Sequence, residues 1–305
     1  MKKVGKAGFE GTIYVTIDTE MDANIHWKKG NPVSFSSILT GIPHILRPIW
    51  DEFHITPIYF LSPEVVSNRK CCDVLKEEIK KGAVIGAHLH PEYIEPEKVS
   101  VIKVQEEMFP CNGCTYQTEH DKILNLRNLI EKNLGIRPEW YRAARFGADM
   151  DTIKILGRLG FKFDSSFTPG IDWSVKGGPD HSEIPVNSYE ILHHKEGLGI
   201  WEYPVSIDGK RFGLVGKLLP DHWLFYQWLR PTHMTYAEEC HLIRKLKKKG
   251  VKDITMMFHS MELMVGKTPY VRNNWMQKYY IWRLRKTLGY AVKQGYRSYK
   301  AAETD

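Results

Sequence analysis

Short apolar runs alternate with helical segments about seven times along the chain, and this alternation limits the possible folds more than any other feature. Residues 11–17, 55–61, 83–88 and 254–259 are the clearest strand-like runs, each rich in β-branched or aromatic residues. Periodic apolar positions and terminating glycines indicate helices between such runs. This order is typical of a parallel sheet covered by helices, so we expect an α/β fold whose sheet closes into a barrel.

We expect a single domain over residues 1–305, because no Pro- or Gly-rich stretch is long enough to separate two domains. Residues 168–199 are rich in Pro, Gly and Asp without a clear period, which predicts an irregular surface insertion. The pattern of residues 273–295 predicts a C-terminal helix that packs on the barrel, against a partner subunit or on a membrane. The sequence leaves these alternatives and the oligomeric state open.

The composition, with 42% hydrophobic and 12% aromatic residues, is that of a soluble globular protein, and no apolar stretch is long enough to span a bilayer. The first residues lack the apolar core of a secretion signal, and the cysteines number five, an odd count that fits a reducing compartment. We therefore expect a location in the cytoplasm or at the inner face of the membrane, with a peripheral membrane contact left open. The net charge of +7 is not organised into a nucleic-acid-binding module, so we predict no nucleic-acid partner.

Cys111 and Cys114 have the spacing of half a zinc site, and His120 is the only nearby candidate for a further ligand. A complete tetrahedral site needs a second pair of ligands, which the neighbouring sequence does not offer. The sequence therefore leaves the role of these thiols open.

Three acids, Asp18, Glu20 and Asp22, follow the first strand-like run directly. If the backbone stays extended, side chains two positions apart point to the same face, so these carboxylates would lie together. Such a cluster is stable in water or around a cation. A solvated acidic turn is the alternative.

His88 and His90 follow the third strand-like run and carry the most specific signal in the chain. Pro91 favours an extended backbone at His90, so both imidazoles point the same way and can hold one metal ion. An acid from the first strand would complete the set and leave positions open for water. Glu92, four positions after His88, is the alternative ligand if this segment is helical.

A metal held by two histidines and a carboxylate suits hydrolysis of an amide or ester. In this interpretation Asp18 is the base and His259 the acid, because the first and last strands become neighbours when the barrel closes. Arg142 would keep Asp18 ionised, with Arg145 as the reserve.

Each assignment has a structural alternative. Asp164 before Ser165 and Ser166 is also a typical turn cap. The two arginines could form surface ion pairs, and His259 could be a buried, hydrogen-bonded core residue.

Five short segments of this chain, in order, resemble the motifs of the polysaccharide deacetylases, the NodB-homology group of carbohydrate esterase family four. The likeness extends over about residues 11–262. The segments are Thr16-Ile-Asp-Thr-Glu20, Gly86-Ala-His-Leu-His-Pro91, Tyr141-Arg-Ala-Ala-Arg-Phe-Gly147, Asp164-Ser-Ser and Phe258-His-Ser-Met-Glu-Leu263.

The resemblance implies a distorted (β/α)7-type barrel that binds one divalent metal ion, with zinc as the expected metal. It implies that Asp18 is the catalytic base, His259 the general acid and Arg142 the residue that orients the base, and Asp164 falls in the fourth motif. Glu20, His88 and His90 become the expected metal ligands. Two departures stand out: Glu20 is displaced by one position, and the histidines are two positions apart where the family usually has four.

The resemblance further implies that the protein removes an acetyl group from an N-acetylated saccharide. Together with the expected location, it points to surface polysaccharide or lipopolysaccharide biosynthesis. Trp173, Trp201, Trp223 and Trp228 are candidate sugar-stacking residues, although such residues are also common in cores. Two other functions remain open: a non-catalytic glycan-binding barrel that has lost the metal, and a hydrolase of a non-sugar amide.

Overall fold

The computed structural model describes residues 9–99, 108–193, 198–211, 215, 218 and 222–300. Its strands, which we number in chain order, are β1 (Gly11–Thr19), β2 (Pro57–Leu61), β3 (Val84–Leu89), β4 (Trp140–Ala143), β5 (Phe163–Asp164), β6 (Ile171–Asp172), β7 (Asp180–His181), β8 (Tyr189–His193), β9 (Leu198–Glu202), β10 (Ile207–Lys210), β11 (Tyr226–Trp228), β12 (Asp253–His259) and β13 (Tyr296–Ser298).

The α-helices lie on the connections between these strands. They are α1 (Arg47–Phe53), α2 (Pro63–Val66), α3 (Arg69–Lys80), α4 (Pro110–Gly113), α5 (Tyr116–Leu134), α6 (Met150–Arg158), α7 (Tyr236–Lys248) and α8 (Asn274–Lys293). A π-helix, Ser37–Leu46, precedes α1. None of the helices in the described ranges is both long and apolar enough to cross a membrane.

One curled sheet organises the molecule, with the strand order β12-β1-β2-β3-β4-β5-β9-β8 and β13 added beside β1. All pairs in it are parallel except β8 with β9. The expected α/β fold with a barrel-like sheet is therefore confirmed. The predicted strand-to-strand closure is not formed among the described residues, because β12 and β8 are the two ends of the strand order.

Irregular segments cover the open side of this curl. The Ser206 amide donates to the Thr255 carbonyl at 3.1 Å, and the Met257 amide donates to the Leu229 carbonyl at 3.2 Å. The first and last long strands are nevertheless direct neighbours, because β12 pairs with β1 along its whole length. Their contact does not depend on a closed barrel, contrary to the reasoning from sequence.

The segment 168–199 is more regular than its composition predicts. β6 and β7 form a small antiparallel pair, and β8 adds an antiparallel edge to β9. These strands have two to five residues each, which is too short for a period to stand out from the surrounding Pro and Gly.

The side chains of β1 point alternately into the main apolar core and into the interior of the curled sheet. Ile13, Val15 and Ile17 belong to the main apolar core. Tyr14 lies on the opposite face in an inner aromatic cluster, where its ring centroid is 5.7 Å from that of Trp140. Asp18 has the same parity as Tyr14, so the period-two geometry of the strand places it above this aromatic floor.

Glu239 on α7 is fully buried against α8 and accepts a hydrogen bond from the Thr287 hydroxyl. Burial raises the pKa of Glu239 from 4.5 to about 8, although the Thr287 hydrogen bond and the Arg283 charge oppose the shift. The folded chain therefore keeps this proton up to about pH 8, whereas the unfolded chain releases it near pH 4.5. This residue makes the folded state less stable as pH rises through that window.

We expect Glu239→Gln to reduce the fall in melting temperature between about pH 6 and pH 9 by several degrees, because the amide has no proton to lose. Thermal unfolding followed by circular dichroism at both pH values measures this. The control is Glu77→Gln, which changes an exposed glutamate. An equal fall in Glu239→Gln and in the parent would contradict the assignment.

Candidate active site

The chemically reactive side chains meet at the carboxyl edge of the sheet. Asp18 lies opposite His259 in the β1–β12 register, and His88 lies opposite Arg142 in the β3–β4 register. Glu20 follows the end of β1. Parallel pairing thus brings together residues that are far apart in the chain.

Glu20, His88 and His90 form the one group of potential metal ligands found in the described part of the chain. Glu20 Oε1 lies 3.4 Å from His88 Nε2 and 3.2 Å from His90 Nε2, and all three side chains are buried. One ligand atom from each lies within 4.8 Å of the others. Two imidazole nitrogens and a carboxylate oxygen are a typical ligand set for zinc and similar ions.

His88 is oriented as metal-binding histidines usually are. His88 Nδ1 lies 2.9 Å from the Arg142 carbonyl oxygen, to which it donates, and this leaves the Nε2 lone pair directed at Glu20. His90 Nε2 is buried and lies 3.2 Å from the same Glu20 oxygen. A cation placed between these residues would contact Glu20 and both Nε2 atoms.

The electrostatics of the group favour a cation. Burial opposes ionisation of Glu20, but the charges of Lys29 and His90 hold its pKa well below the usual value. Burial likewise disfavours protonated His90, yet the charge and hydrogen bond of Glu20 raise its pKa to about 10. Lys29 Nζ lies 2.9 Å from Glu20 Oε2. Sequence reasoning missed Lys29, which lies in a loop without a pattern.

Asp18 is buried and ion-paired. Its Oδ1 accepts a hydrogen bond from Arg142 Nη1 at 2.8 Å. Arg142 also donates from Nε to the Ser165 carbonyl at 2.7 Å and lies 4.4 Å above the Phe60 ring. Burial opposes ionisation of Asp18, but Arg142 above all, with His88 and His259, lowers its pKa. Asp18 is therefore a carboxylate at neutral pH.

His259 lies among three carboxylates. Its Nε2 lies 4.0 Å from Asp18 Oδ2 and 3.6 Å from Glu20 Oε1, whereas Nδ1 lies 3.2 Å from Glu262 Oε1. Glu262 also accepts hydrogen bonds from Arg230 and from the Thr232 hydroxyl. Burial opposes ionisation of Glu262, but Arg230 and His259 lower its pKa to about 2. The loop residue Arg230 was not predicted, and no local pattern marks it.

Asp164 lies below this group. Its carboxylate accepts hydrogen bonds from the Ser166 hydroxyl at 2.7 Å and the Ser166 amide at 3.1 Å, as a turn cap does. It is buried opposite Glu202 in the β5–β9 register. Burial raises the pKa of both carboxyls, and their mutual repulsion adds to the rise in Glu202. Ser165 lies in the turn that Asp164 caps, and it holds Arg142. Asp164 therefore acts on the site indirectly, through this turn.

Asp22 does not share a face with the other acids, so the expected three-carboxylate cluster is wrong. Its carboxylate accepts hydrogen bonds from the Ser34 hydroxyl and the Ser36 amide, both at 2.7 Å, and from the Ser37 amide at 3.2 Å. The reason is that β1 ends at Thr19, so strand pairing no longer fixes which way the side chains beyond it point. Asp22 therefore fixes the following loop.

Glu92 and Arg145 pair behind His90. Arg145 Nη2 donates to Glu92 Oε1 at 2.6 Å, and that oxygen is 3.9 Å from His90 Nδ1. Of the two candidate arginines, Arg142 is the one that contacts Asp18. Arg145 and Phe146 have φ values of 55° and 61°, and both residues line the cavity. Such left-handed backbone in non-glycine residues is often found at functional sites.

Cys111 and Cys114 are free thiols, and no cluster of potential metal ligands includes them among the described residues. Burial raises the pKa of Cys111 to about 12 and that of Cys114 to about 11. Both thiols are thus protonated at neutral pH in this structure.

A cavity of about 450 Å³ opens above the reactive residues. Its wall is mainly aromatic and cationic and consists of Asp18, Glu20, Trp27, Lys29, His88, His90, Phe109, Arg145, Phe146, Trp173, Lys176, Trp228, Arg230, His259 and Tyr270. Trp173 and Trp228 thus line the cavity, while Trp201 does not and is 40% exposed elsewhere. The side chain of Trp223 lies outside the described residues.

We expect Arg142→Met to destabilise the fold by about 3–5 kcal/mol, because it leaves Asp18 as a buried charge without its partner. Adding Asp18→Asn should recover part of that loss. Urea denaturation of the parent, both single variants and the double variant measures the coupling. Additive losses in the double variant would show that the two side chains do not stabilise each other.

No protein-family model matches the chain, and a search of curated protein sequences found no match. Similar solved structures include a candidate polysaccharide deacetylase from Mycobacterium smegmatis, with 14% identity, a TM-score of 0.52 and coverage of 97% of this chain and 96% of that one. Puue allantoinase has 12% identity and a TM-score of 0.55, with coverage of 96% of this chain and 86% of that one.

A 4-alpha-glucanotransferase from Thermococcus litoralis has 13% identity and a TM-score of 0.50, with coverage of 96% of this chain but 37% of that one. At these identities the likeness concerns the fold, and one fold can carry several chemistries. The chain has the barrel fold of the NodB-type polysaccharide deacetylases, as the resemblance of its motifs implies.

Proposed function

We propose that this protein is a metal-dependent hydrolase that removes an acetyl group from an N-acetylated sugar. The observation that carries the proposal is the buried group of Glu20, His88 and His90 beside Asp18 and His259. It combines a cation site, an ionised carboxylate and an imidazole within one cavity. These are the parts that hydrolysis of an amide requires.

Glu20, His88 and His90 would hold one divalent ion, for which zinc is our first choice. When bound, the ion would polarise the acetyl carbonyl and make water a better nucleophile. The residues present fit such an ion because His88 donates from Nδ1 to the Arg142 carbonyl, which directs its Nε2 at Glu20, and His90 Nε2 lies 3.2 Å from the same carboxylate oxygen. Lys29 already balances part of the charge of Glu20, so the ion competes with this ammonium group.

Asp18 acts as the base in this proposal and takes a proton from the attacking water. Arg142 keeps it ionised and holds Oδ1, so Oδ2 is the oxygen available on the side of His259. Ser165 and Phe60 fix the guanidinium and thereby the direction of the carboxylate. A base that is held in place needs no reorganisation when the proton moves.

His259 acts as the acid and donates a proton from Nε2 to the leaving amine. Glu262 Oε1 lies 3.2 Å from Nδ1 of this imidazole and Arg230 Nη2 lies 3.1 Å from the same nitrogen, so the two groups hold the ring in place. Arg230 in turn keeps Glu262 ionised. In the proposed mechanism Asp164 is a positioning residue that supports the Ser165–Ser166 turn below Arg142.

The aromatic wall supports a sugar as the substrate, because Trp27, Trp173 and Trp228 line the cavity, although Trp173 and Trp228 are themselves buried against Phe146. The biological setting that we propose is the synthesis of a surface polysaccharide or lipopolysaccharide. That part of the proposal rests on the resemblance of the motifs. A hydrolase of a non-sugar amide is the second candidate, and the allantoinase of similar fold is the observation that favours it.

We expect the purified protein to bind about one zinc ion per chain and the double variant His88→Ala, His90→Ala to bind almost none. Metal analysis after dialysis measures the stoichiometry. His120→Ala removes a partly exposed histidine outside the site and is the matched control. Equal zinc contents in the parent and the double variant would disprove the ligand assignment.

We expect Asp18→Asn to keep the metal but to lower acetate release from N-acetylated sugars by about 10²–10⁴-fold, because the base is lost. Acetate release and metal content are measured on the same preparation. Asp73→Asn, at an exposed position on α3, is the control. Full activity of Asp18→Asn would rule out Asp18 as the base. A parent that binds metal but releases product only from non-sugar amides would favour the second candidate.

A further inference from the structure

Helix α8 exposes three aromatic side chains in one row. Trp275 is 70% exposed, Tyr279 37% and Trp282 43%. We call this row the aromatic stripe. The opposite side of the same helix is buried in the fold, with Tyr280, Leu284, Leu288 and Ala291 among its core residues.

The stripe is an ordered surface. The Trp275 and Tyr279 ring centroids are 5.5 Å apart with an interplanar angle of 5°. The Tyr279 and Trp282 centroids are 5.6 Å apart at 16°. Trp282 also contacts the edge of Tyr236 on α7, at 5.7 Å. Because the rings are already stacked, little side-chain entropy remains to be lost when another surface covers them.

Positive charge accompanies the stripe. Helix α8 contains no Asp or Glu, and its cations are Lys278, Arg283, Arg285, Lys286 and Lys293. At about 100° per residue, Lys286 and Lys293 continue the line of the three aromatic residues along the helix, and both are exposed. Arg285 lies to one side and pairs with Glu52 of α1.

The first residue of the stripe is close in sequence to a residue that lines the cavity. Tyr270 lines the cavity, and its ring lies 5.7 Å from that of Trp27. Trp275 follows five positions later, at the start of the helix. A surface that covers the stripe would therefore lie near the carboxyl edge of the sheet, where the reactive residues are.

We propose that the aromatic stripe and the lysines in line with it dock on an anionic membrane surface. Trp and Tyr favour the interface between lipid and water, and clustered Lys and Arg are attracted to anionic headgroups. A second copy of the chain is a poorer occupant, because it would bring a helix with the same cations and no acid against this one. The inference does not depend on the proposed hydrolase activity.

Sedimentation with lipid vesicles tests the proposal. The parent should sediment with vesicles of phosphatidylcholine and phosphatidylglycerol, and should do so much less with pure phosphatidylcholine or at high salt. The double variant Trp275→Ala, Trp282→Ala should bind about tenfold more weakly or worse. Lys286→Gln, Lys293→Gln should lose most of the preference for anionic lipid.

The matched control is Trp201→Ala, which removes a tryptophan of β9 that is about as exposed as Trp282. Circular dichroism of each variant checks that the fold is retained. Vesicle binding that is equal in the parent and the Trp275→Ala, Trp282→Ala variant would overturn the proposal. The proposal would also be overturned if the parent did not bind anionic vesicles and instead dimerised through the stripe, as measured by analytical ultracentrifugation.

Discussion

Two buried carboxylates, Asp18 and Glu20, determine what must surround them, because an isolated charge in a protein interior is strongly unfavourable. Arg142 compensates Asp18 through a hydrogen bond of 2.8 Å. Glu20 faces Nε2 of three histidines within 3.6 Å on one oxygen and the Lys29 ammonium on the other. The carboxyl edge of the sheet is therefore built to collect positive charge, and this property underlies the proposed metal site.

The charge pair at Asp18 depends in turn on packing below it. The Phe60 ring supports the Arg142 guanidinium from inside the curl. Gly86 on the neighbouring strand leaves space for that ring, since a Cβ at this position would lie 2.5 Å from it. Ser165 holds the guanidinium from the next connection, in a turn capped by Asp164. The packing around Arg142 thus fixes the position of the charge that keeps Asp18 ionised.

Much of this arrangement could be predicted from the sequence because its signals are local. Strand and helix periods predicted the α/β class, and the positions of Asp18 and His259 at strand ends predicted that they could meet. Asp22 was placed wrongly because extended geometry was assumed beyond the end of β1. Lys29 and Arg230 could not be predicted, since they lie in loops without a period and no spacing links them to their partners, Glu20 and Glu262. Short strands such as β8 were not predicted, because a few residues are too short for a period to be recognised.

The fold alone does not determine the reaction, which depends on the residues of the site. The central claim about this site is that Glu20, His88 and His90 bind a cation. Crystals grown with zinc and measured at the zinc absorption edge test it most directly. We predict one strong anomalous peak between Glu20 and the Nε2 atoms of both histidines, with Lys29 displaced from the carboxylate. A crystal with zinc in the solvent, Lys29 still on Glu20 and no peak at this position would contradict the account.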